Sequence, residues 1–202
     1  MTTYGVGMVS RRAGEPAQLE EIILQQPGPG EVLIRLLASG ICHTDLHYKL
    51  GNIGNDFPYL LGHEGSGIVE QVGPGVTAPQ VGDYVVLAWR APCGHCRFCS
   101  IGQLNLCSSS LNAEPRMTTR KDNLTLSQAL GIGSLCSHTV IAAKQAVPVP
   151  AECPPEQACL LGCGVTTGVG AALYTGGVRR GSSVAVFGCG GIGVSVIMGA
   201  KL

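Results

Sequence analysis

Apolar residues in this chain gather in short runs broken by glycine and proline, the spacing of a β-rich protein rather than a helical one. Residues 17–24 and 31–37 read as strands, with the turn Pro27-Gly28-Pro29-Gly30 between them. Residues 67–72 and 83–89 read the same way, separated by Gly73-Pro74-Gly75 and Gly82, and strand character resumes at 140–143 and 146–149. Such a series predicts a barrel-like unit. Residues 93–124 are polar, cysteine-rich and weakly periodic, which predicts a loop or lobe. Pro154-Pro155-Glu156 has the composition of a helix start, and the helix is expected to run towards Tyr174. Val184–Phe187 reads as a last strand, with a helix from Gly193 onward. There is no internal repeat.

Composition narrows the class. The chain has 202 residues, 45% hydrophobic and 13% charged, which excludes a disordered tail or a solvated coiled coil. Its 13 basic and 13 acidic residues leave no excess for a nucleic acid to meet. The N-terminus lacks a basic stretch followed by an apolar run, so no secretory signal is expected and a cytoplasmic setting is. Ser183 to Ala200 carries no charge and is long enough to be mistaken for a membrane span. Five of its residues are glycines, however, and a strand, a tight turn and a helix start explain it better. No membrane partner is expected. In this setting the 10 cysteines read as metal ligands or free thiols rather than disulfides.

Four cysteines stand close together: Cys93, Cys96, Cys99 and Cys107, spaced C-x2-C-x2-C-x7-C. Four thiolates can close a tetrahedral structural zinc site and fold a lobe whose own core is too small. The rival is an iron–sulfur cluster. Its bacterial run has a tighter fourth spacing and a following proline, whereas Ser108 follows here. His95, inside the loop, is expected to face solvent.

A second set is dispersed. Cys42 opens Cys-His-Thr-Asp-Leu-His, His63 lies in Gly-His-Glu, and Cys163 follows Leu161-Gly162. A catalytic zinc takes three protein ligands and keeps one position open, and Cys42, His63 and Cys163 supply such a set. Asp45 and Glu64 are placed to support it from behind. Cys159, four residues before Cys163, is the competing third ligand if the helix is regular. Finally, Gly188-Cys189-Gly190-Gly191-Ile192-Gly193 follows an apolar segment and precedes a helical pattern. This is the G-x-G-x-x-G turn that brings backbone N–H groups to a dinucleotide pyrophosphate.

Taken together, Cys-His-Thr-Asp-Leu-His at 42–47, Gly-His-Glu at 62–64, the four-cysteine lobe and Leu-Gly-Cys-Gly-Val-Thr-Thr-Gly at 161–168 leading into the glycine turn resemble the zinc-dependent medium-chain alcohol dehydrogenases. The resemblance implies a β-rich GroES-like catalytic domain over residues 1–165, with the zinc lobe at about 90–124. The start of an α/β Rossmann domain, incomplete here, would follow over 166–202. It implies two zinc ions, one held by Cys42, His63 and Cys163 and one by the four lobe cysteines. It implies NAD as coenzyme, with NADP not excluded because the deciding acidic residue would lie beyond Leu202. Thr44 and His47 would relay the alcohol proton, His43 would face the coenzyme pyrophosphate, and Thr167 would lie on the nicotinamide side. Gly188, Gly190, Gly191 and Gly193 would bind the coenzyme phosphates.

The implied reaction is reversible oxidation of a small-molecule alcohol to an aldehyde or ketone by a homo-oligomer. Trp89-Arg90-Ala91-Pro92-Cys93-Gly94, Asn112-Ala113-Glu114 with Met117-Thr118, and Ala129-Leu130-Gly131-Ile132-Gly133 further resemble the mycothiol-dependent formaldehyde dehydrogenases. Two other classes compete. A non-enzymatic zinc module needs a basic, aromatic lobe surface, and 93–107 offers only Arg97 and Phe98. A zinc-free quinone reductase is opposed by the seven ligand matches. The leftover thiols Cys136, Cys153, Cys159 and Cys189 read as bystanders, with Cys189 open to oxidation near the coenzyme. Because only one βα unit begins here, the chain is expected to be the N-terminal part of a longer enzyme and inactive alone.

Overall fold

A computed structural model describes residues 2–202. The strands are β1 (Thr3–Ser10), β2 (Gln18–Leu24), β3 (Glu31–Gly40), β4 (Tyr59–Leu60), β5 (Glu64–Val72), β6 (Tyr84–Leu87), β7 (Met117–Thr119), β8 (Ser127–Gln128), β9 (His138–Ala142) and β10 (Ala146–Pro148). The helices are α1 (His43–Leu50), α2 (Arg97–Ser100), α3 (Pro155–Ala158), α4 (Gly164–Gly170) and α5 (Gly191–Lys201). Two five-stranded sheets form, in the orders β7-β2-β1-β4-β8 and β10-β6-β5-β3-β9. They make a β-rich, partly open barrel.

Strand β3 shows why the sequence folds this way. Glu31-Val32-Leu33-Ile34 is an almost unbroken apolar run, and all four residues are buried. Side chains alternate across a strand. Val32 and Ile34 therefore join Val69, Val85, Leu87 and Ile141 in one core, while Leu33 joins Val9, Ile22, Leu60 and Val140 in a second. The sheet is sandwiched between two cores. Each such buried side chain contributes roughly 1.5–3 kcal/mol. Glu31, at the strand's start, is buried too. It accepts N–H bonds from Gly28 at 2.7 Å and Glu114 at 2.9 Å and pairs with Arg116, which ties the later part of the lobe segment to the barrel.

Two expectations fail. The helix predicted from Pro154 to Tyr174 is broken: Pro155–Gly162 and Gly164–Thr175 meet at 55°. Cys163 sits at the break with φ −142° and ψ −78°, outside helical geometry. Glycines on both sides of Cys163 make the bend inexpensive. The strand expected at Val184–Phe187 does not form. The segment runs without a ladder partner among the described residues, and Phe187 is 99% exposed. A strand is defined by its neighbour, and an apolar run alone cannot supply one. Among the elements that went unread are β1, whose glycines hide its alternation, α1, whose first turn is the Cys-His-Thr-Asp motif itself, and the short β4, β7, β8 and α2.

No single helix among the described residues is long and apolar enough to cross a membrane. Helix α5 has 11 residues, about 16 Å at 1.5 Å per residue, against a hydrocarbon core of about 30 Å.

Candidate functional site

The dispersed residues are brought together by the pairing of β3 with β5. Gly40 at the end of β3 stands opposite Glu64 at the start of β5. The chain leaving β3 therefore reaches Cys42, the N-cap of α1, beside the chain entering β5 through His63. Gly62 makes the entry possible: its φ is +95°, and a Cβ there would lie 2.3 Å from the Leu135 nitrogen. From the other side, the break in the helix delivers Cys163. One donor atom from each of Cys42, His63, Glu64 and Cys163 lies within 4.8 Å of the others. Glu64, expected behind the ligands, thus stands among them. Its carboxylate is buried and accepts the Gly164 N–H at 3.2 Å, which holds it on the donor side. Cys159 is excluded as third ligand: with the helix broken its thiol donates to the Glu156 carbonyl at 3.4 Å, outside the cluster.

Asp45 organises the set. Its buried carboxylate accepts the Cys42 N–H at 2.9 Å, the Gly62 N–H at 3.0 Å and the His63 Nδ1–H at 3.1 Å. This fixes the ring so that Nε2 is the free nitrogen. Nε2 is fully buried and has no hydrogen-bond partner. An orphaned ring nitrogen is costly in a protein interior, and a metal ion is the partner that satisfies it. Burial works against a charged ring, but the bond to Asp45 and the adjacent Cys163 outweigh it and raise the His63 pKa to about 10. The same negative surroundings favour a bound cation. Two thiolates, an imidazole and a carboxylate fit zinc's preference for sulfur and nitrogen donors.

The four lobe cysteines also converge, with donors within 4.8 Å of one another. Cys93 and Cys99 sulfurs are 4.0 Å apart, as are those of Cys96 and Cys107. A tetrahedron with metal–sulfur bonds of about 2.3 Å has edges of roughly 3.8 Å, so the spacing suits one ion. A cluster of several irons spreads its thiolates further apart. Backbone N–H groups point at the sulfurs, from Cys93 to Cys107 at 3.3 Å and from Cys96 to Cys93 at 3.4 Å. Such donors favour thiolates: the N–H groups of Cys99 and Ser108 push Cys96 down to about 5, and those of Cys93 and Ser109 push Cys107 down. Desolvation pushes Cys99 up to about 11, and its contacts with the other sulfurs act in the same direction. All ten cysteines are free.

The remaining predicted residues fall around the first cluster. Thr44 Oγ1 is 3.7 Å from the Cys42 sulfur. His47 is exposed and bonds Asn52 through Nδ1 at 3.1 Å, and no hydrogen bond joins it to Thr44. His43 lines a 330 Å³ cavity together with Cys42, Glu64, Gly191 and Ile192, between the donor cluster and the start of α5. Thr167 lies instead in a largely apolar 550 Å³ cavity with Cys163, Trp89, Val147 and Leu161. The donors are thus reached from two sides. In the glycine turn Gly188 has φ +106°, and a Cβ on Gly193 would come within 2.0 Å of the Gly188 carbonyl. Gly190 and Gly191 face open space. Sequence reasoning missed the donor position of Glu64, whose only signal was its place next to His63. It also missed Trp89 as a cavity wall, since a lone aromatic carries no spacing.

The description of the Alcohol dehydrogenase GroES-like domain matches residues 28–151. An S-(hydroxymethyl)glutathione dehydrogenase of Aspergillus oryzae is 43% identical over 199 residues, covering 93% of this chain and 51% of that protein. The enzyme of the same name from Saccharomyces cerevisiae is 42% identical, covering 98% and 53%. In three dimensions the chain is similar to an alcohol dehydrogenase zinc-binding domain protein of Burkholderia ambifaria, with TM-score 0.92, 36% identity, and coverage of 100% of this chain and 56% of the other. It is also similar to benzyl alcohol dehydrogenase of Acinetobacter calcoaceticus, with TM-score 0.86, 32% identity, and coverage of 98% and 56%. The chain spans about half the length of the curated relatives it matches. With this likeness and two converged donor sets, the chain belongs to the zinc-dependent alcohol dehydrogenase family, whose GroES-like domain it carries.

Proposed function

We propose that the protein oxidises a primary alcohol reversibly, with NAD as hydride acceptor and two zinc ions per chain, one at each donor cluster. The buried, unpartnered Nε2 of His63 among Cys42, Cys163 and Glu64 carries the reading. Two cysteines and a histidine are the known catalytic zinc set of alcohol dehydrogenases. Zinc bound there supplies Lewis acidity, which eases loss of the alcohol proton. The chain's own residues do the rest. The cavity of Trp89, Val147, Leu161 and Cys163 binds the carbon end of the alcohol and excludes water. Thr44, beside Cys42, would relay the hydroxyl proton, accepting it as its own hydroxyl proton passes on towards the coenzyme ribose, and exposed His47 would release it from there to solvent. His43 and the N–H groups at the start of α5 hold the coenzyme phosphates in the 330 Å³ cavity.

The finer reading is that the alcohol is the hydroxymethyl adduct of formaldehyde with a small thiol. Relatives at 43% and 42% identity carry the name S-(hydroxymethyl)glutathione dehydrogenase, which supports glutathione as the thiol. Trp89-Arg90-Ala91-Pro92 and Asn112-Ala113-Glu114 favour mycothiol as the second choice. Turnover of the two adducts by the intact enzyme separates them by kcat/KM. Cys42→Ser or His63→Ala in the intact, metal-loaded protein is expected to abolish hydride transfer. Unchanged turnover in either variant overturns the reading, and one metal per chain instead of two turns it towards a zinc module.

A further inference from the structure

The four-cysteine site raises a charge question that its ligands do not answer. Four thiolates around one divalent ion leave two negative charges in a lobe with little core. Between Tyr84 and Ala113 the sequence holds no Asp or Glu, yet it holds Arg90 and Arg97. Arg90 Nη1 donates to the Cys107 carbonyl at 2.5 Å. Lys144, arriving from the barrel between β9 and β10, donates Nζ to the Cys93 carbonyl at 3.0 Å. Neither cation forms an ion pair with a carboxylate among the described residues. Arg90 is further constrained: its guanidinium lies 5.1 Å from the Trp89 ring centre, and its Nε is buried without an acceptor. A half-buried guanidinium with an unmet N–H needs negative charge nearby to offset its desolvation. Between Tyr84 and Ala113 only the thiolates supply it.

We propose that Arg90 and Lys144 are the charge partners of the four-cysteine metal site. Each brings one positive charge to the backbone of a ligand cysteine, and the two balance the two negative charges of a tetrathiolate site holding a divalent ion. They are positioning residues. By neutralising the lobe they slow loss of the ion and dock the lobe on the barrel, Lys144 from the turn between β9 and β10 and Arg90 from the segment that follows β6. The inference rests on the reading that the lobe holds a divalent ion.

The test measures metal release from the whole chain to a chromogenic chelator, after loading with cobalt, whose charge-transfer intensity and ligand-field bands differ between a site of four thiolates and a site of two. The wild-type spectrum examines the underlying reading, and a chain that takes no cobalt at the four cysteines ends both. Lys144→Gln and Arg90→Gln keep a hydrogen-bond donor but remove the charge. Each is expected to speed release from the lobe roughly tenfold, as supporting groups of metal sites do. Lys144→Arg is expected to release at the wild-type rate. Raised salt is expected to narrow the gap between Lys144→Gln and wild type, since screening weakens a charge effect. Release from the Cys42–His63–Cys163 cluster serves as the internal control for folding and stays unchanged. If the Gln variants release cobalt at the wild-type rate, or if Lys144→Arg loses it as fast as Lys144→Gln, the proposal is wrong.

Discussion

The two donor clusters have the same size and opposite origins. The lobe cysteines lie within 15 residues of one another and are folded by short turns, N–H···S bonds and the metal they would share. The other set draws on residues 42, 63, 64 and 163, and is assembled by a barrel that is packed without it. In the lobe an ion would take the place of a core. In the barrel the core comes first and an ion would find a ready site, with Asp45 holding three N–H groups of that site in place. One cluster is a fold element, and the other is a site carried by a fold.

This contrast can be broken in several ways. The largest effect is expected from Cys99→Ser in the lobe. A closed tetrathiolate site contributes folding free energy directly, so its loss is expected to destabilise the lobe by about 3–5 kcal/mol or more. Hydrogen exchange should show protection lost across 93–110 while β3 and β5 stay protected. Cys42→Ser is expected to cost under about 1 kcal/mol of stability, because the barrel cores remain. Equal unfolding by the two variants would erase the distinction.

Next in size is Asp45→Ala. With His63 no longer oriented, metal affinity at the barrel site is expected to fall about 10–100-fold, and the lobe metal should be retained. Metal content after dialysis against a graded chelator reads both at once.

A graded effect comes from pH, and the two sites are expected to respond at opposite ends. The His63 pKa is raised in the folded chain, from 6.5 to about 10. Its contribution to the metal-free chain is therefore full below about 6.5 and is lost as pH rises through about 10. Thermal stability of the chelator-treated chain should fall across that window, and a His63→Gln variant should flatten it. Cys96 is depressed, from 9.0 to about 5. Its thiolate contribution is full above about 9 and is lost as pH falls through about 5, so acid should empty the lobe in that range.

The smallest effect is expected from Cys159→Ala. The thiol is buried and donates to one carbonyl, so about 1 kcal/mol of stability should be lost with no change in metal content. A drop in metal stoichiometry would restore Cys159 as a ligand.

Legibility in the sequence follows the same divide. The lobe could be read whole, because its four donors are close in sequence and of one type. For the barrel site the donor types could be read, but not the fourth donor. Glu64 looks like a supporting carboxylate in a motif, and only the β3–β5 register and the Gly164 N–H place it among the ligands. Cys159 and Cys163 shared a face only if the helix was straight, and the 55° break removes that premise. The run Val184–Phe187 had strand composition but found no strand to pair with among the described residues.

The sequence by itself determined the β-rich class, the two sets of metal-ligating residue types and the glycine turn. Each of these is written in local order: apolar runs between turns, cysteines at fixed spacing, glycines where a side chain would collide. Tertiary structure alone decided which donors meet, which cysteine is idle and which cations face the lobe. Those outcomes depend on strand register, a helix break and a lysine arriving from the turn between β9 and β10. They are set by packing between segments more than a hundred residues apart in the widest case, Cys42 to Cys163, and local spacing carries no record of it.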